Sequence, residues 1–518
     1  MSTTVTRWSA GIDVGVKSAH KVAILNRDTG ERVRRTFSVP RTWEGIHGLQ
    51  DILSEADDVV VAIEPAGRAW RPLAGVLLAG NIEVYLIDPK KSSRLRKAFS
   101  DHAKSDRIDA EALARLPMMA PDRLDRLQVP PSSTVRLRDL VRHRDRLTQM
   151  TSTRKKRIHA MMEQIQPTLM EALGDEKFLN AYRAFLRRYV DPRAVVRLGK
   201  QRLHRFLETR YHGFFDPKRT EKIFRSAVSG ARLLKAQSDG RGTFFDLNQI
   251  QLEVCMELDL LEAEEVQIEQ LEELIATLCE ELDPQGMLQS IPGFGLIVTA
   301  GVLGETGSVD RFPNVGSFRG YVSLIPRYKA TGQSHNPRQK LRKAGPRLLK
   351  KYLFLAADNA RRCDLELAAF YNRLREKGRV HDQAVCAVAN KLAGRAYAVM
   401  KRIAEGGDAP YVYRDLEGRP IPKREASRRV KCEFPGPVAQ RRQAAARKEV
   451  PSPLTKGPAQ NEARRPRPAY ARPPGSDASS LGDSAPCHVS EILASCGAGQ
   501  HTNPAPSVPA DDSPPIGG

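Results

Sequence analysis

Cysteine is scarce and scattered in this chain. The seven cysteines (255, 279, 363, 386, 432, 487 and 496) contain no C-x-x-C pair. Their odd number fits a reducing compartment better than a disulfide framework. Cys487, His488 and Cys496 are too few and too irregular to argue a metal site. A long apolar run is also missing. The best, Ile291–Leu303, has 13 residues and contains Pro292 and three glycines, whereas a spanning helix needs about 20. No targeting segment opens the chain: Met1–Thr6 is polar, and Trp8–Val16 is too short and mixed for a signal core. With only three tryptophans, no Trp-rich basic amphipathic helix suggests a membrane surface. A soluble cytoplasmic protein with no membrane partner is expected. Negative charge is short as well: 61 Asp and Glu face 83 Lys and Arg, a net charge of +22. The simplest partner for that excess is nucleic-acid phosphate.

At 518 residues the chain has room for about three domains of ~100–200 residues each. Trp8–Val16, Lys21–Asn26 and Arg32–Val39 read as strands. Asp28-Thr29-Gly30-Glu31 joins the last two, with Gly30 placed for a positive φ. Thr42–Glu55 reads as a helix with Thr42 as its N-cap. Asp58–Glu64 is a continuous apolar strand of the kind buried on both faces. A helix over about Ala69–Ala79, a strand at Ile82–Ile87 and a helix from Pro89 follow. Three meandering strands followed by alternating elements predict an α/β ribonuclease H-like mixed sheet with helices on both faces.

Four acids stand out in that frame. Lys104-Ser105-Asp106-Arg107-Ile108-Asp109-Ala110 puts Asp106 and Asp109 on one face of a helical start. Acids at a helix N-terminus have an ordinary explanation in the helix dipole. Two more carboxylates, however, belong to neighbouring strands. Asp13 stands in the first strand within Gly11-Ile12-Asp13-Val14-Gly15, and Glu64 ends the fourth. A charge flanked by apolar residues is costly unless paired or bound to metal. A hard divalent cation reconciles four such acids, and Mg²⁺ is the usual ion beside phosphates. Two such ions can clamp a phosphodiester. The competing reading of Gly11–Gly15 is a phosphate loop of the actin or sugar-kinase type, which leaves Asp106 and Asp109 unexplained.

Beyond the sheet, residues 130–167 read as a long basic helix. Arg142, Arg146, Lys155 and Lys156 are its candidate phosphate contacts, against a plain solvated face. Over 179–242 aromatic residues interleave with arginines, which suits base stacking or an ordinary small helical core. Leu247–Leu282 repeats an apolar residue every seven positions, as in a coiled coil. Its second seam is broken by Glu257 and Glu264. This acidic helix is expected to pair antiparallel with the basic one or to form a dimer contact. Ser290-Ile291-Pro292-Gly293-Phe294-Gly295 reads either as a helix-hairpin-helix turn, with Gly293 and Gly295 approaching phosphate, or as a tight turn between helices. The polar segment 326–345 carries Arg327, Arg338, Lys340, Arg342 and Lys343. Helices follow over about 346–359, 365–377 and 381–405. From Ile421 to Gly518 Pro, Ala, Arg, Ser and Gly dominate, and disorder is expected.

In combination, Gly-Ile-Asp13-Val, Glu64-Pro-Ala-Gly, Lys104-Ser-Asp106-Arg-Ile-Asp109-Ala, Ile291-Pro-Gly-Phe-Gly and Pro326-Arg-Tyr-Lys-Ala-Thr331-Gly resemble the DEDD-type insertion-sequence transposases, recombinases guided by a bridge RNA. The resemblance covers about residues 8–405. It implies a RuvC-like catalytic domain (8–120), a helical and coiled-coil region (130–282) and a C-terminal transposase domain (283–410); the insertion at about 167–245 and the tail (421–518) depart from the family pattern. It further implies Mg²⁺ on Asp13, Glu64, Asp106 and Asp109, a hydroxyl nucleophile that joins covalently to DNA, a noncoding guide RNA, and a homo-oligomer. Lys104 counts with the nucleic-acid-binding residues. The nucleophile's position, a serine in the family, is held by Thr331, with Ser334 as the alternative. A junction nuclease that uses water, or a nucleic-acid-binding protein with a decayed site, are the rival functions.

Overall fold

The computed structural model describes residues 5–89, 92–93, 95, 106–119, 121, 124, 126–211, 214–238, 244–324, 330–331, 334–335 and 345–435, with backbone alone at 106–107, 238, 330–331 and 334–335. It opens with β1 (Arg7–Asp13), β2 (His20–Asn26), β3 (Arg32–Val39), α1 (Trp43–Leu53), β4 (Asp58–Glu64), α2 (Trp70–Ala79), β5 (Glu83–Leu86) and α3 (Asp106–Met119). The five strands form one mixed sheet in the order β3-β2-β1-β4-β5. The first three run antiparallel, and β4 and β5 lie parallel to β1.

Local chemistry sets these elements. Gly30 takes φ +75° in the turn before β3, a conformation that costs glycine little. The Thr42 side chain accepts from Gly45 N–H and caps α1, satisfying one of the helix's orphan donors. Central strands β1 and β4 are buried along nearly their whole length. One face of the sheet packs Ile12, Val22, Ile24, Val61 and Ile63 against Leu49 and Leu53 of α1 and Leu73 and Leu77 of α2.

The remaining body is helical. α4 (Ser132–Ile165) is followed by short helices α5 (Leu169–Ala172), α6 (Asn180–Arg188), α7 (Pro192–Leu198) and α8 (Lys200–Glu208), then by α9 (Pro217–Ser238) and α10 (Leu247–Leu282). α4 and α10 form an antiparallel hairpin. Arg144 pairs with Glu272, Lys155 with Glu265 and Arg157 with Glu257, so position rises on one helix as it falls on the other. The antiparallel alternative is therefore realised within one chain. The broken seam is explained too: Glu257 and Glu264 close on the two sides of Arg154, at 3.0 and 2.7 Å.

Helices α5–α9 enclose a second core with the α4 and α10 ends. Tyr182, Phe185, Phe215 and Tyr189 are buried in it. The aromatic residues that suited base stacking are thus mostly core, and Phe214 is the exposed exception.

A third core joins α11 (Leu296–Thr306), a 3₁₀ turn at Val309–Arg311, α12 (Val315–Val322), α13 (Arg347–Ala360), α14 (Leu365–Glu376) and α15 (His381–Ala404). Two short strands, β6 (Ala330–Thr331) and β7 (Ser334–His335), pair antiparallel before α13. The expected disorder from Ile421 needs correction over its first residues. α16 (Lys423–Glu433) buries Ala426 and Val430, with Val430 against Leu365 and Ala368 of α14. Two apolar residues at i and i+4 sufficed for a helix stripe. The rest of the expected tail, from 436, lies outside the described residues. Among the described residues no helix is long and apolar enough to cross a membrane.

Candidate active site

Side chains alternate across a strand, so Ser9, Gly11 and Asp13 share one face of β1. Their partners make three rows across the sheet. Gly11 stands between Ala23 of β2 and Ala62 of β4, and Asp13 stands between Lys21 and Glu64. The Ala23–Gly11–Ala62 row is a shallow trough of small residues, and α3 lies on it. A Cβ at Gly11 would run into the Ala110 carbonyl and the Ala114 amide. Nearby, Ser9 Oγ donates to the Ala114 carbonyl at 2.6 Å, fully buried.

Those contacts fix the direction of α3, which runs antiparallel to β1. Two residues of strand advance about 6.6 Å, and four residues of helix advance about 6 Å. Ser9 meets Ala114 and Gly11 meets Ala110. One further step of the same size runs from Asp13 toward the helical turn that begins at Asp106. Asp109, beside Ala110, is 8% exposed. Asp13 and Glu64 are the last residues of two adjacent parallel strands and register partners, which puts the two residues side by side at the carboxyl end of the sheet. Ligand sites of α/β sheets gather at that end.

Other charges near the set have their own partners. Lys21 Nζ donates to Ser38 Oγ at 2.7 Å, extending the row to Ser38 of β3. Glu111, the third acid of α3, is bound by Arg32 at 2.6 Å and Arg115 at 3.0 Å. Burial raises its pKa, but the hydrogen bonds and charges of Arg115 and Arg32 outweigh this and hold its carboxyl below the ordinary value. Glu111 is thus committed to structure.

Oxygen donors alone, two of them adjacent, suit a hard divalent cation. Mg²⁺ is commonly held by one or two carboxylates plus waters and substrate phosphates, so the Asp13–Glu64 pair fits that donor chemistry. Among the described residues no group of three or more His, Cys, Asp or Glu side chains is gathered closely enough to hold a metal.

In the C-terminal part, Thr331 and Ser334 are register partners of the β6–β7 hairpin. The two hydroxyl residues left as alternatives by the sequence therefore stand directly opposite each other, three positions apart in the chain.

The expected nucleic-acid-binding residues divide. Arg142 is a structural residue: its guanidinium grips Glu305 through two bonds of 2.7 and 2.8 Å, and Glu305 is buried. Lys155 pairs with Glu265 at 3.1 Å. Arg146 and Lys156 are exposed. Lys155 and Lys156, with Thr148, Thr151, Ser152 and His159, line an open groove of about 590 Å³ along α4. Gly293 takes φ +82° with its α-carbon against the Ala356 carbonyl; its missing side chain makes room for α13, which favours the tight-turn reading. Gly295 is exposed at the start of α11. Lys104, Arg327, Arg338, Lys340, Arg342 and Lys343 lie outside the described residues.

The sequence reading missed Ser9, Gly11 and Lys21 as supports of this site. The alternation of Ser9, Gly11 and Asp13 on one strand face was visible, but the helix that Gly11 admits and Ser9 holds was not.

Two family models match the chain. A DEDD transposase model of the IS110 type, described as a transposase, matches residues 10–167. One described as a transposase of the IS116/IS110/IS902 family matches residues 285–372. The chain is 26% identical over 397 residues to the insertion element IS110 uncharacterized 43.6 kDa protein of Streptomyces coelicolor, covering 76% of this chain and 93% of that protein. It is 24% identical over 407 residues to the insertion element IS116 uncharacterized 44.8 kDa protein of Streptomyces clavuligerus, covering 77% and 96%. A third relative, the insertion element IS900 uncharacterized 42 kDa protein of Mycobacterium paratuberculosis, is 23% identical over 399 residues, covering 76% and 95%.

Proposed function

Because the chain belongs to the DEDD transposases of the IS110 family, a family of DNA-cleaving and recombining enzymes, we propose that Asp13, Glu64, Asp106 and Asp109 form its catalytic acid set and that Thr331 supplies the nucleophilic hydroxyl. On this reading residues 8–120 are a ribonuclease H-like, RuvC-type catalytic domain. Residues 130–282 are a helical arm with coiled-coil character, and residues 283–410 are the transposase domain that delivers the hydroxyl. The observation that carries the reading is the register pairing of Asp13 with Glu64 beneath the helix that starts with Asp106.

Asp13, Glu64, Asp106 and Asp109 are the residues that would hold a divalent cation, Mg²⁺ in this reading, which when bound would supply Lewis-acid stabilisation of charge at the scissile phosphate. The protein's own contribution is placement. The Gly11 trough lets α3 bring Asp109 down to the strand ends, and Ser9 holds that helix in register. Thr331 Oγ attacks phosphorus, forming a P–Oγ ester as the bond to the leaving deoxyribose oxygen breaks. The hydroxyl proton passes to a base, and the leaving oxygen takes up a proton as a free sugar hydroxyl. A second sugar hydroxyl then attacks the ester, rejoining DNA and freeing Thr331. DNA ends of the mobile element and its target are the substrates, a noncoding RNA is the guide, and two or more copies of the chain act together.

The test is covalent trapping. The protein is incubated with Mg²⁺, candidate guide RNA and element-end DNA, then denatured, and any adduct is mapped by mass spectrometry. An adduct on Thr331 supports the reading, and one on Ser334 moves the nucleophile across the hairpin. Strand cleavage without an adduct would favour a water-using nuclease. Asp13→Ala is expected to abolish adduct and cleavage, and wild-type recombination by that variant would refute the metal-site assignment.

A further inference from the structure

The acids at the carboxyl end of the sheet have a cation in their own row. Ser38 of β3, Lys21 of β2, Asp13 of β1 and Glu64 of β4 are successive register partners. Lys21 is two residues from Ala23, the partner of Gly11, so it shares the face of the sheet that carries the trough and Asp13. Register partners have α-carbons about 4.5–5.5 Å apart, and the flexible four-carbon stem of lysine bridges such a gap in either direction.

Two acceptors therefore compete for the Lys21 ammonium, Asp13 on one side and Ser38 on the other. An opposite charge directly across a strand pair is the ordinary partner, and Coulomb attraction favours it over a neutral hydroxyl. The bond that the structure gives Lys21 goes instead to Ser38 Oγ, at 2.7 Å. The difference matters for the acids. An ammonium resting on Asp13 would use the oxygen lone pairs that a hard cation needs and would repel that cation. Drawn toward β3, the same charge still eases the repulsion between two neighbouring acids and leaves their oxygens accessible. The other cations of β3 have acids of their own: Arg32 is held by Glu111 and Arg34 by Glu55.

We propose that Ser38 is a positioning residue of the candidate site, whose hydroxyl holds the Lys21 ammonium away from Asp13 and so keeps the acid pair open to a divalent cation. This rests on the metal-site reading of Asp13 and Glu64 and adds to it the device that governs access.

The test measures Mn²⁺ binding by the full chain without nucleic acid, from the electron paramagnetic resonance signal of the free ion. Mn²⁺ suits the same carboxylate and water ligands as Mg²⁺. Asp13→Ala defines the binding that belongs elsewhere on the protein. Ser38 is exposed on the edge strand β3, so Ser38→Ala leaves the core untouched. Ser38→Ala is expected to weaken the Asp13-dependent affinity about two- to fivefold, the worth of an exposed ion pair. Ser38→Thr keeps a hydroxyl at that position and should keep the wild-type affinity. On a Lys21→Gln background Ser38→Ala should change nothing, because no ammonium is left to move. Unchanged or tighter binding by Ser38→Ala, an equal loss with and without Lys21, or a loss in Ser38→Thr as large as in Ser38→Ala overturns the inference and leaves the metal site standing. Identical Mn²⁺ binding by Asp13→Ala and the wild type refutes the metal-site reading and the inference with it.

Discussion

Gly11 decides how near α3 can come to Asp13. A methyl group there has no space, because the Ala110 carbonyl and Ala114 amide already fill it, and overpacking of this kind costs about 1–3 kcal/mol. Gly11→Ala is therefore expected to lower the unfolding temperature and to abolish strand cleavage together. Gly48→Ala in α1, where an added methyl meets nothing, should leave cleavage intact and stabilise the helix by up to about 1 kcal/mol. Thermal unfolding and a cleavage assay on the two variants check both halves. Glu111 gives the pH counterpart. Its folded carboxyl is held below the ordinary value, so its ion pairs stabilise the protein above the ordinary carboxylate range, near pH 4.3, and that contribution fades as pH falls through the lower folded value. In urea unfolding the wild type should exceed Glu111→Gln in stability at neutral pH, and the gap should close in acid. Cysteine reactivity divides by burial as well. Burial, helped by the Asp283 and Glu280 charges, pushes the Cys279 thiol up to about 12, whereas Cys432 is exposed. Alkylation of the native protein at mildly basic pH should mark Cys432 and spare Cys279.

In the α4–α10 hairpin, what looked like a defect in the sequence is a clamp. Arg154 is inserted between Glu257 and Glu264, and its side chain and that of Glu264 are 14% and 8% exposed. Arg154→Ala leaves a buried carboxylate uncompensated and is expected to cost about 2–4 kcal/mol. Arg154→Leu combined with Glu264→Leu should recover most of that loss, because a matched apolar pair replaces a buried ion pair at little cost. Chemical denaturation of the three variants measures the coupling. Apolar spacing is poor along the basic helix, whereas Leu247–Leu282 was legible to its end residues because an aspartate cap and a heptad agree there. The same period could not say why two glutamates interrupt the seam, since that depends on Arg154, more than a hundred residues away. The sheet was legible because its strands are apolar and its turns carry their own chemistry. Within the site, Asp13, Glu64, Asp106 and Asp109 could be named from the residues. Gly11 and Ser9 could not be singled out, because their role is defined by a helix a hundred residues downstream. Helices α5–α9 were missed because short amphipathic segments rich in arginine and aromatics read equally well as a binding surface and as a core.

At the scale of the whole described chain, α4 is the element through which the sheet and the C-terminal core are joined. Arg68 and Arg71 near the start of α2 reach Asp139 at 3.6 and 3.4 Å. On the other side Arg138 donates to the Gly304 carbonyl at 2.6 Å, and Lys351 pairs with Asp145. α11 can lie close to α4 because Gly304 stands against the Arg138 backbone. Arg142 is part of this weld, so Arg142→Ala should act through stability, costing about 2–4 kcal/mol for stranding the buried Glu305, with nucleic-acid affinity of the folded fraction unchanged. The C-terminal end of the described chain is tied in by a network of its own. Tyr411 donates to the buried Asp364 at 2.8 Å, and Arg395 reaches Glu366 at 2.6 Å. α16 then covers Leu365 and Ala368 with Val430. The change of composition at Ile421 is thus not the edge of the fold. A chain ending at residue 420 uncovers that cluster and loses the burial of Val430 and Ala426, a penalty of about 2–3 kcal/mol. A chain ending at residue 435 keeps every described contact of the C-terminal core. Thermal unfolding should place the shorter protein clearly below the longer, and recombination by the 435-residue chain should match that of the full protein. Equal stability of the two truncations would mean that α16 contributes nothing to the core it covers.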